Sequence, residues 1–243
     1  MMNYVIKAGG SGNIIEESNK ADDLPEWLNY RRVKINSKYF EKVCLSLVEF
    51  TKKNNKIFYI NGGVGAYLFL DFGRSLGLDD RILDQTGCDI INNTSRLLLE
   101  KTRSLDGNVC PFLVDVQDIK TSIINKFDIF FIKANPMCKS SDALAAKVAT
   151  NLEKANLIYF KYGIPTYYVG FEKPVDILEF KIVDLIERAK NKIEKPGDNF
   201  ILDKEALKLI YTYKIDTTLI NSDDISKYIN DESDKTIRKT KIV

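Results

Sequence analysis

Asn3-Tyr4-Val5-Ile6-Lys7-Ala8-Gly9-Gly10-Ser11 runs from apolar residues into a lysine and then into two glycines. Asn3 to Lys7 has the composition of a buried strand, and Gly9-Gly10 ends it. A second stretch repeats the pattern: Lys56-Ile57-Phe58-Tyr59-Ile60, closed by Asn61-Gly62-Gly63. A glycine pair after a strand leaves main-chain N–H groups uncovered, so they can approach phosphate oxygens, and a following helix N-terminus adds partial positive charge. The same pair also serves a plain tight turn. Neither is a Walker A loop, because no Gly-Lys-Ser/Thr follows at the required spacing, and neither is the G-x-G-x-x-G dinucleotide fingerprint.

Outward from these two stretches, strand-like and helix-like runs alternate. Glu16 to Asn36 is polar, with Pro25 and Trp27 inside it, and reads as a loop or excursion. Phe40, Val43, Cys44, Leu47 and Val48 fall at helical spacing. Further helices are expected up to Phe72, over Asp84–Lys101, over Ser141–Ala155 with Ser140 or Ser141 as the cap, along the stripe Leu178, Ile182, Leu185, Ile186 and Ala189, around Ala206 to Tyr211, and over Ser222–Ile229. Strands are expected at Pro111–Val116, Phe127–Ile132, Leu157–Phe160, Thr166–Val169 and Thr217–Ile220. Pro196-Gly197-Asp198 reads as a turn, and Thr236 to Val243 alternates weakly. Such alternation predicts an α/β fold, a mostly parallel sheet with helices on both faces, binding ligands at the carboxyl ends of its strands. We expect one domain over residues 1–243, with a division near Asn135 to Ser140 separating lobes 1–135 and 136–243 rather than independent units.

Composition excludes several chemistries. The chain has 243 residues and no histidine, which removes Ser-His-Asp and Cys-His catalysis and every histidine metal site. Cys44, Cys88, Cys110 and Cys138 have no C-x-x-C spacing and read as reduced thiols of a cytoplasmic protein. The balance of 36 Lys+Arg against 34 Asp+Glu leaves a net charge of +2, too even for a nucleic-acid partner held by a basic face. No run approaches the roughly 20 apolar residues of a membrane span, and the apolar run in Met1 to Lys7 is too short for a signal peptide.

Two polar residues stand where the chemistry of an anion would need them. Lys7, at the end of the first strand, can place its ammonium over a transferring phosphoryl group, a reaction that needs positioning and charge neutralisation more than covalent chemistry. Asp142 lies in the first turn of the helix that begins Ser140-Ser141-Asp142-Ala143-Leu144-Ala145-Ala146. There it can complement the helix dipole or hold nearby lysines in place.

The ordered set of segments resembles the amino-acid kinase superfamily, and within it the uridylate kinase branch. Lys7 to Ser11 resembles the opening K-x-G-G-S, Asn61 to Tyr67 the second glycine turn and its helix, Asp84-Gln85-Thr86-Gly87-Cys88-Asp89 with Arg96-Leu97-Leu98 the acceptor-side helix. Ser140 to Ala146 resembles T-T-D-A-x-A-A, and Leu202 to Ala206 the closing D-x-x-A helix, with its strand at Ile215 to Ile220. The resemblance implies a three-layer αβα sandwich and ATP-dependent phosphoryl transfer to a small phosphate- or carboxylate-bearing acceptor, with a nucleoside monophosphate such as UMP the leading one. It implies that Lys7 stabilises the transition state and Asp142 organises the lysines. Gly9, Gly10, Ser11 and Lys161 would hold the nucleotide, and Gly62, Gly63, Asp84, Asn92 and Thr94 the acceptor. ATP would bring Mg²⁺ with it, and the family's form is a homo-oligomer, a hexamer among uridylate kinases, with the Phe40–Val48 helix and the Leu70–Leu78 region as candidate contacts. The lobe over 1–135 would then be acceptor-side and 136–243 nucleotide-side.

The chain also departs from that pattern. Where uridylate kinases carry T-R-L-N-A, it reads Ile91-Asn92-Asn93-Thr94-Ser95, and where they carry V-D-G-V-Y it reads Gly163-Ile164-Pro165-Thr166-Tyr167. Two other readings therefore stand beside the kinase: a nucleotide-binding storage or regulatory assembly of the same fold without turnover, similar to the molybdenum storage proteins, and an α/β binding protein whose glycine pairs are only turns. The missing histidine argues against isopentenyl phosphate kinases and against the histidine-assisted cluster sites of the storage proteins.

Overall fold

The computed structural model describes residues 2–8, 14–18, 31–63, 65–119, 121–138, 140–161, 166–167, 175–176, 179–190, 202–230, 237 and 239–243. Strands β1 (Met2–Ala8), β4 (Asn55–Asn61) and β6 (Ala155–Lys161) form the centre of a seven-stranded sheet. Its other members are β5 (Ile129–Phe131), β10 (Thr217–Asn221), β11 (Lys239–Ile242) and β9 (Glu179–Phe180), in the order β5-β4-β1-β6-β10-β11-β9. Every pairing is parallel except β10 with β11. Two antiparallel hairpins lie outside it, β2 (Ile14–Ser18) with β3 (Arg31–Ile35), and β7 (Thr166–Tyr167) with β8 (Val175–Asp176).

Alternation along the central strands sends side chains to two separate cores. Tyr4, Ile6 and Ala8 of β1, with Ile57 and Tyr59 of β4, pack under α1 (Ser37–Thr51), α3 (Asp80–Arg103) and α8 (Ile225–Asn230). Val5, with Phe58, Ile60, Leu157 and Tyr159, packs under α5 (Ser141–Thr150), α6 (Ile182–Lys190) and α7 (Lys204–Tyr213). The result is the αβα sandwich the alternation predicts. Short α2 (Ala66–Ser75) and α4 (Thr121–Ile124) complete the described helices, and among these no helix is long and apolar enough to cross a membrane.

Three expectations need correction. The polar stretch from Glu16 is not wholly a loop: Glu16 to Ser18 and Arg31 to Ile35 belong to the β2–β3 hairpin, whose residues 19–30 lie outside the described set. Pro111–Val116 is not a strand; only Val109 and Val114 make single parallel bridges, to Ile129 and Ile132, because Pro111 has no N–H for a ladder and Phe112 turns 52% exposed. The alanine-rich helix stops at Thr150, and Ala155 already opens β6. The expected turn at Pro196-Gly197-Asp198 and the residues Val169 and Leu178 lie outside the described residues.

The sheet order places the site. From β1 the chain moves to β4 and β5 on one side, then returns to β6 and β10 on the other. Open α/β sheets bind ligands where the strand order reverses, outside the carboxyl ends. Here that crevice lies at the ends of β1 and β6, where Lys7 and Lys161 stand.

Candidate functional site

Lys7 and Tyr159 are paired across β1 and β6, and Lys161 lies two residues beyond Tyr159. A period of two puts all three on the face covered by α5. Helix α5 starts directly above them. Ser140 caps it, its hydroxyl accepting from the N–H of Asp142 at 3.1 Å and of Ala143 at 3.0 Å. The Ser140 hydroxyl donates to Asp203, which caps α7 by accepting from Ala206 N–H at 2.8 Å. The two helix starts are thereby joined. Buried Ala143, Ala145, Ala146 and Ala149 have no bulk to hold α5 away from the sheet.

Asp142 projects from this first turn between the two lysines. Its Oδ1 lies 2.9 Å from Lys7 Nζ as an ion pair, and its Oδ2 accepts from Lys161 Nζ at 2.5 Å. The three side chains are only 8%, 11% and 16% exposed for Lys7, Asp142 and Lys161. Tyr159 fixes the helix start from below, its hydroxyl donating to the Asp142 main-chain carbonyl at 2.9 Å. Burial alone would push the Asp142 carboxyl up, but the Lys161 and Lys7 ammoniums hold it below the usual carboxylate range. Burial pulls Lys161 below the usual lysine range; Asp142 opposes this and Lys7 adds to it. Two ammoniums thus flank one carboxylate in a partly desolvated cluster at the switch point of the sheet, with Asp203 the next charge that Lys161 feels.

Ser140→Ala is expected to destabilise the fold by about 1–2 kcal/mol, through the lost cap of α5 and the lost hydrogen bond to Asp203. Urea midpoints measure this; a change within a few tenths of a kcal/mol would remove the two-helix clasp.

Of the residues expected to hold the acceptor, Gly62 and Gly63 follow β4 directly and Thr94 is bonded to its last residue, Asn61. Gly62 N–H donates to Ala8 C=O at 2.7 Å, tying this turn to the end of β1. A Cβ on Gly63 would stand 2.9 Å from Ala66 Cβ and 3.4 Å from Ile91 Cγ1, so the turn needs glycine to pack against α2 and α3. Asp84 stands half-buried near the start of α3. Asn92 uses both ends of its amide on Ala134, accepting from its N–H at 2.7 Å and donating to its C=O at 3.1 Å, so it fastens α3 to the loop after β5. Thr94 Oγ1 accepts from Asn61 Nδ2 at 2.6 Å and donates back to the carbonyls of Ile90 and Ile91. Gly9, Gly10 and Ser11 lie outside the described residues. Two positioning groups escaped the sequence reading: Tyr159, legible only once strand register is known, and Asn61, which the sequence shows only as part of a turn.

All four cysteines are free, and burial raises the thiol of each, that of Cys88 to about 11. None has the lowered pKa of a nucleophile.

No family model matches the sequence, and no curated protein matches it. Solved structures do match. The uridylate kinase from Archaeoglobus fulgidus superposes with a TM-score of 0.71 at 19% identity, covering 100% of both chains. The UMP kinase from Bacillus anthracis gives 0.69 at 14% identity, over 99% of this chain and 95% of that one. The UMP kinase from Ureaplasma parvum gives 0.69 at 14% identity, over 99% and 98%. The chain has the amino-acid kinase fold. Within that fold its architecture is close to that of the uridylate kinase branch.

Proposed function

We propose that this protein is an ATP-dependent phosphotransferase acting on a small phosphate- or carboxylate-bearing acceptor, with nucleoside monophosphates, UMP among them, as the leading class. The observation that carries the reading is the Lys7–Asp142–Lys161 cluster at the switch point of the sheet. In the reaction an acceptor oxygen bonds to the γ-phosphorus of ATP, the bond to the β–γ bridging oxygen breaks, and ADP leaves with that electron pair. A phosphate or carboxylate oxygen is already anionic, so the step needs no general base. That suits a chain without histidine whose central carboxylate is committed to two lysines.

Lys7 and Lys161 neutralise charge that builds on the transferred group and on the leaving phosphate, and Asp142 keeps them aligned before substrate arrives. Both Asp142 oxygens face lysines, so the residues present fit a Mg²⁺ held by the nucleotide's own phosphates rather than by this carboxylate. Such an ion, when bound, supplies further neutralisation of the phosphates. The glycine turn at Gly62-Gly63 would receive the acceptor. We assign a homo-oligomer to the chain, with the exposed Leu68, Phe69 and Phe72 of α2 as its apolar contact surface.

Purified protein with ATP, Mg²⁺ and a panel of nucleoside monophosphates is expected to release ADP with one acceptor or a few. Absence of turnover across the panel, alongside measurable nucleotide binding, would favour the non-catalytic assembly. The pH profile offers a second check. The alkaline limb of kcat/KM, which reports the free enzyme, is expected below the ordinary lysine value of roughly 10.4, because burial lowers Lys161. Lys161→Arg is expected to move that limb upward; identical limbs would remove Lys161 from the charge-bearing set.

A further inference from the structure

Tyr159 is wholly buried in β6, yet it reaches two of the three charged residues above it. It pairs with Lys7 across β1 and β6, and Lys161 follows two residues later on the same strand face. Its hydroxyl donates to the Asp142 main-chain carbonyl at 2.9 Å. Its ring lies under the Lys161 ammonium, with Nζ 5.8 Å from the ring centroid. A cation at that distance over an aromatic face is attracted by the ring's negative quadrupole, more strongly where water is excluded. An aliphatic side chain at position 159 would fill the same core and supply neither contact.

Lys161 stands where such an attraction matters. Burial disfavours its charged form, and Lys7, the other ammonium of the cluster, disfavours it further. Asp142 of α5 opposes both, and Asp203 at the start of α7 adds a smaller effect of the same sign. Asp142 does not belong to Lys161 alone, because its other oxygen faces Lys7 at 2.9 Å. A further carboxylate would hold the ammonium more tightly, but its negative charge would also repel an anion entering the crevice. A ring face attracts the ammonium without adding a charge. Tyr159 itself stays neutral, since burial and the Asp142 and Asp203 carboxylates push its hydroxyl well above the ordinary tyrosine value.

We propose that Tyr159 is a positioning residue whose ring face holds the Lys161 ammonium in place and keeps it charged, so that the cluster meets an incoming anion with both of its cations. The hydroxyl and the ring sit on different parts of one side chain, and the ring's part can be tested with the hydroxyl already removed. The charge of Lys161 is measurable whatever reaction the cluster serves; the consequence for turnover rests on the phosphotransfer reading.

The titration of Lys161 is followed by NMR in the full chain carrying lysine labelled with ¹³C at Cε, the Lys161→Arg protein serving to assign the signal. Tyr159→Phe keeps the ring and is expected to retain the parent midpoint. Phenylalanine analogues of increasing ring fluorination at position 159 keep the shape but drain the negative face. They are expected to lower the midpoint stepwise, by about half a unit to one and a half units in all. Tyr159→Leu, which removes the ring, is expected to lower it as far. With an accepted monophosphate, the alkaline limb of kcat/KM is expected to move down in step. A midpoint indifferent to fluorination, or one that rises, overturns the ring's role even where Tyr159→Leu fails to fold, because the fluorinated rings keep the packing. A midpoint that falls while the limb stays fixed overturns the positioning role. If the parent turns over no monophosphate, the phosphotransfer reading falls, and a stepwise fall of the Lys161 midpoint still supports the ring's hold on the ammonium.

Discussion

Lys7→Ala is expected to lower kcat by about 10²–10³-fold, the usual cost of removing one preorganised donor from a site of developing charge. The cluster then falls from two ammoniums around one carboxylate to a single neutral pair, Lys161 with Asp142, and no net positive charge remains to meet the transferred phosphoryl group. Because that charge matters most in the transition state, KM for ATP is expected to change much less than kcat. Folding should survive, since Asp142 keeps its 2.5 Å partner in Lys161 and the strand around Lys7 is otherwise apolar and buried. Steady-state kinetics with the accepted monophosphate, beside a thermal melt, provide the measurement. A folded Lys7→Ala protein within about threefold of the parent kcat would end the assignment of Lys7, and with it the observation on which the proposed function rests.

The central strands were legible because they are buried on both faces and so read as unbroken apolar runs. Ile57 to Ile60 and Leu157 to Phe160 have no charged or amide residue to confuse the pattern. The site was legible to the extent that its residues stand at the ends of such runs: Lys7 is next to last in β1, Lys161 closes β6, and Asp142 follows a serine cap. What could not be read is what depends on register and on contacts far apart in the chain. Asn92 looks like a residue facing substrate, yet its amide is matched to the two main-chain groups of Ala134, 42 positions away. Tyr159 looks like one more core aromatic until β6 is aligned with β1, when its hydroxyl comes beneath the first turn of α5. Pro111 to Val116 has strand-like side chains but lacks the main-chain donor at its start, and only isolated bridges form.

Asp142→Asn is expected to be the most damaging single change to the fold at this site. An amide has the shape of the carboxylate but not its charge, so Lys7 and Lys161 would face each other, both largely buried, across a neutral group. Removing one member of a buried ion cluster typically costs about 3–5 kcal/mol, far more than the net worth of the intact pair, because the remaining charges stay desolvated and unpaired. Activity should be lost as well, with the two ammoniums pushed apart or deprotonated.

The pH dependence separates this cause from simple loss of packing. The folded carboxyl titrates below its unfolded value of roughly 3.9. Its contribution is therefore fully present above that value and is lost as pH falls through the lower, folded one. The gap in unfolding free energy between parent and Asp142→Asn should be widest near neutrality and should narrow under acid. A double substitution, Lys7→Met with Asp142→Asn, should cost less than the sum of the two singles, since it leaves one buried lysine instead of two in conflict. A gap that stays constant down to pH 2, or strict additivity in the double variant, would mean that the carboxylate only fills space and that the lysines are positioned by something else.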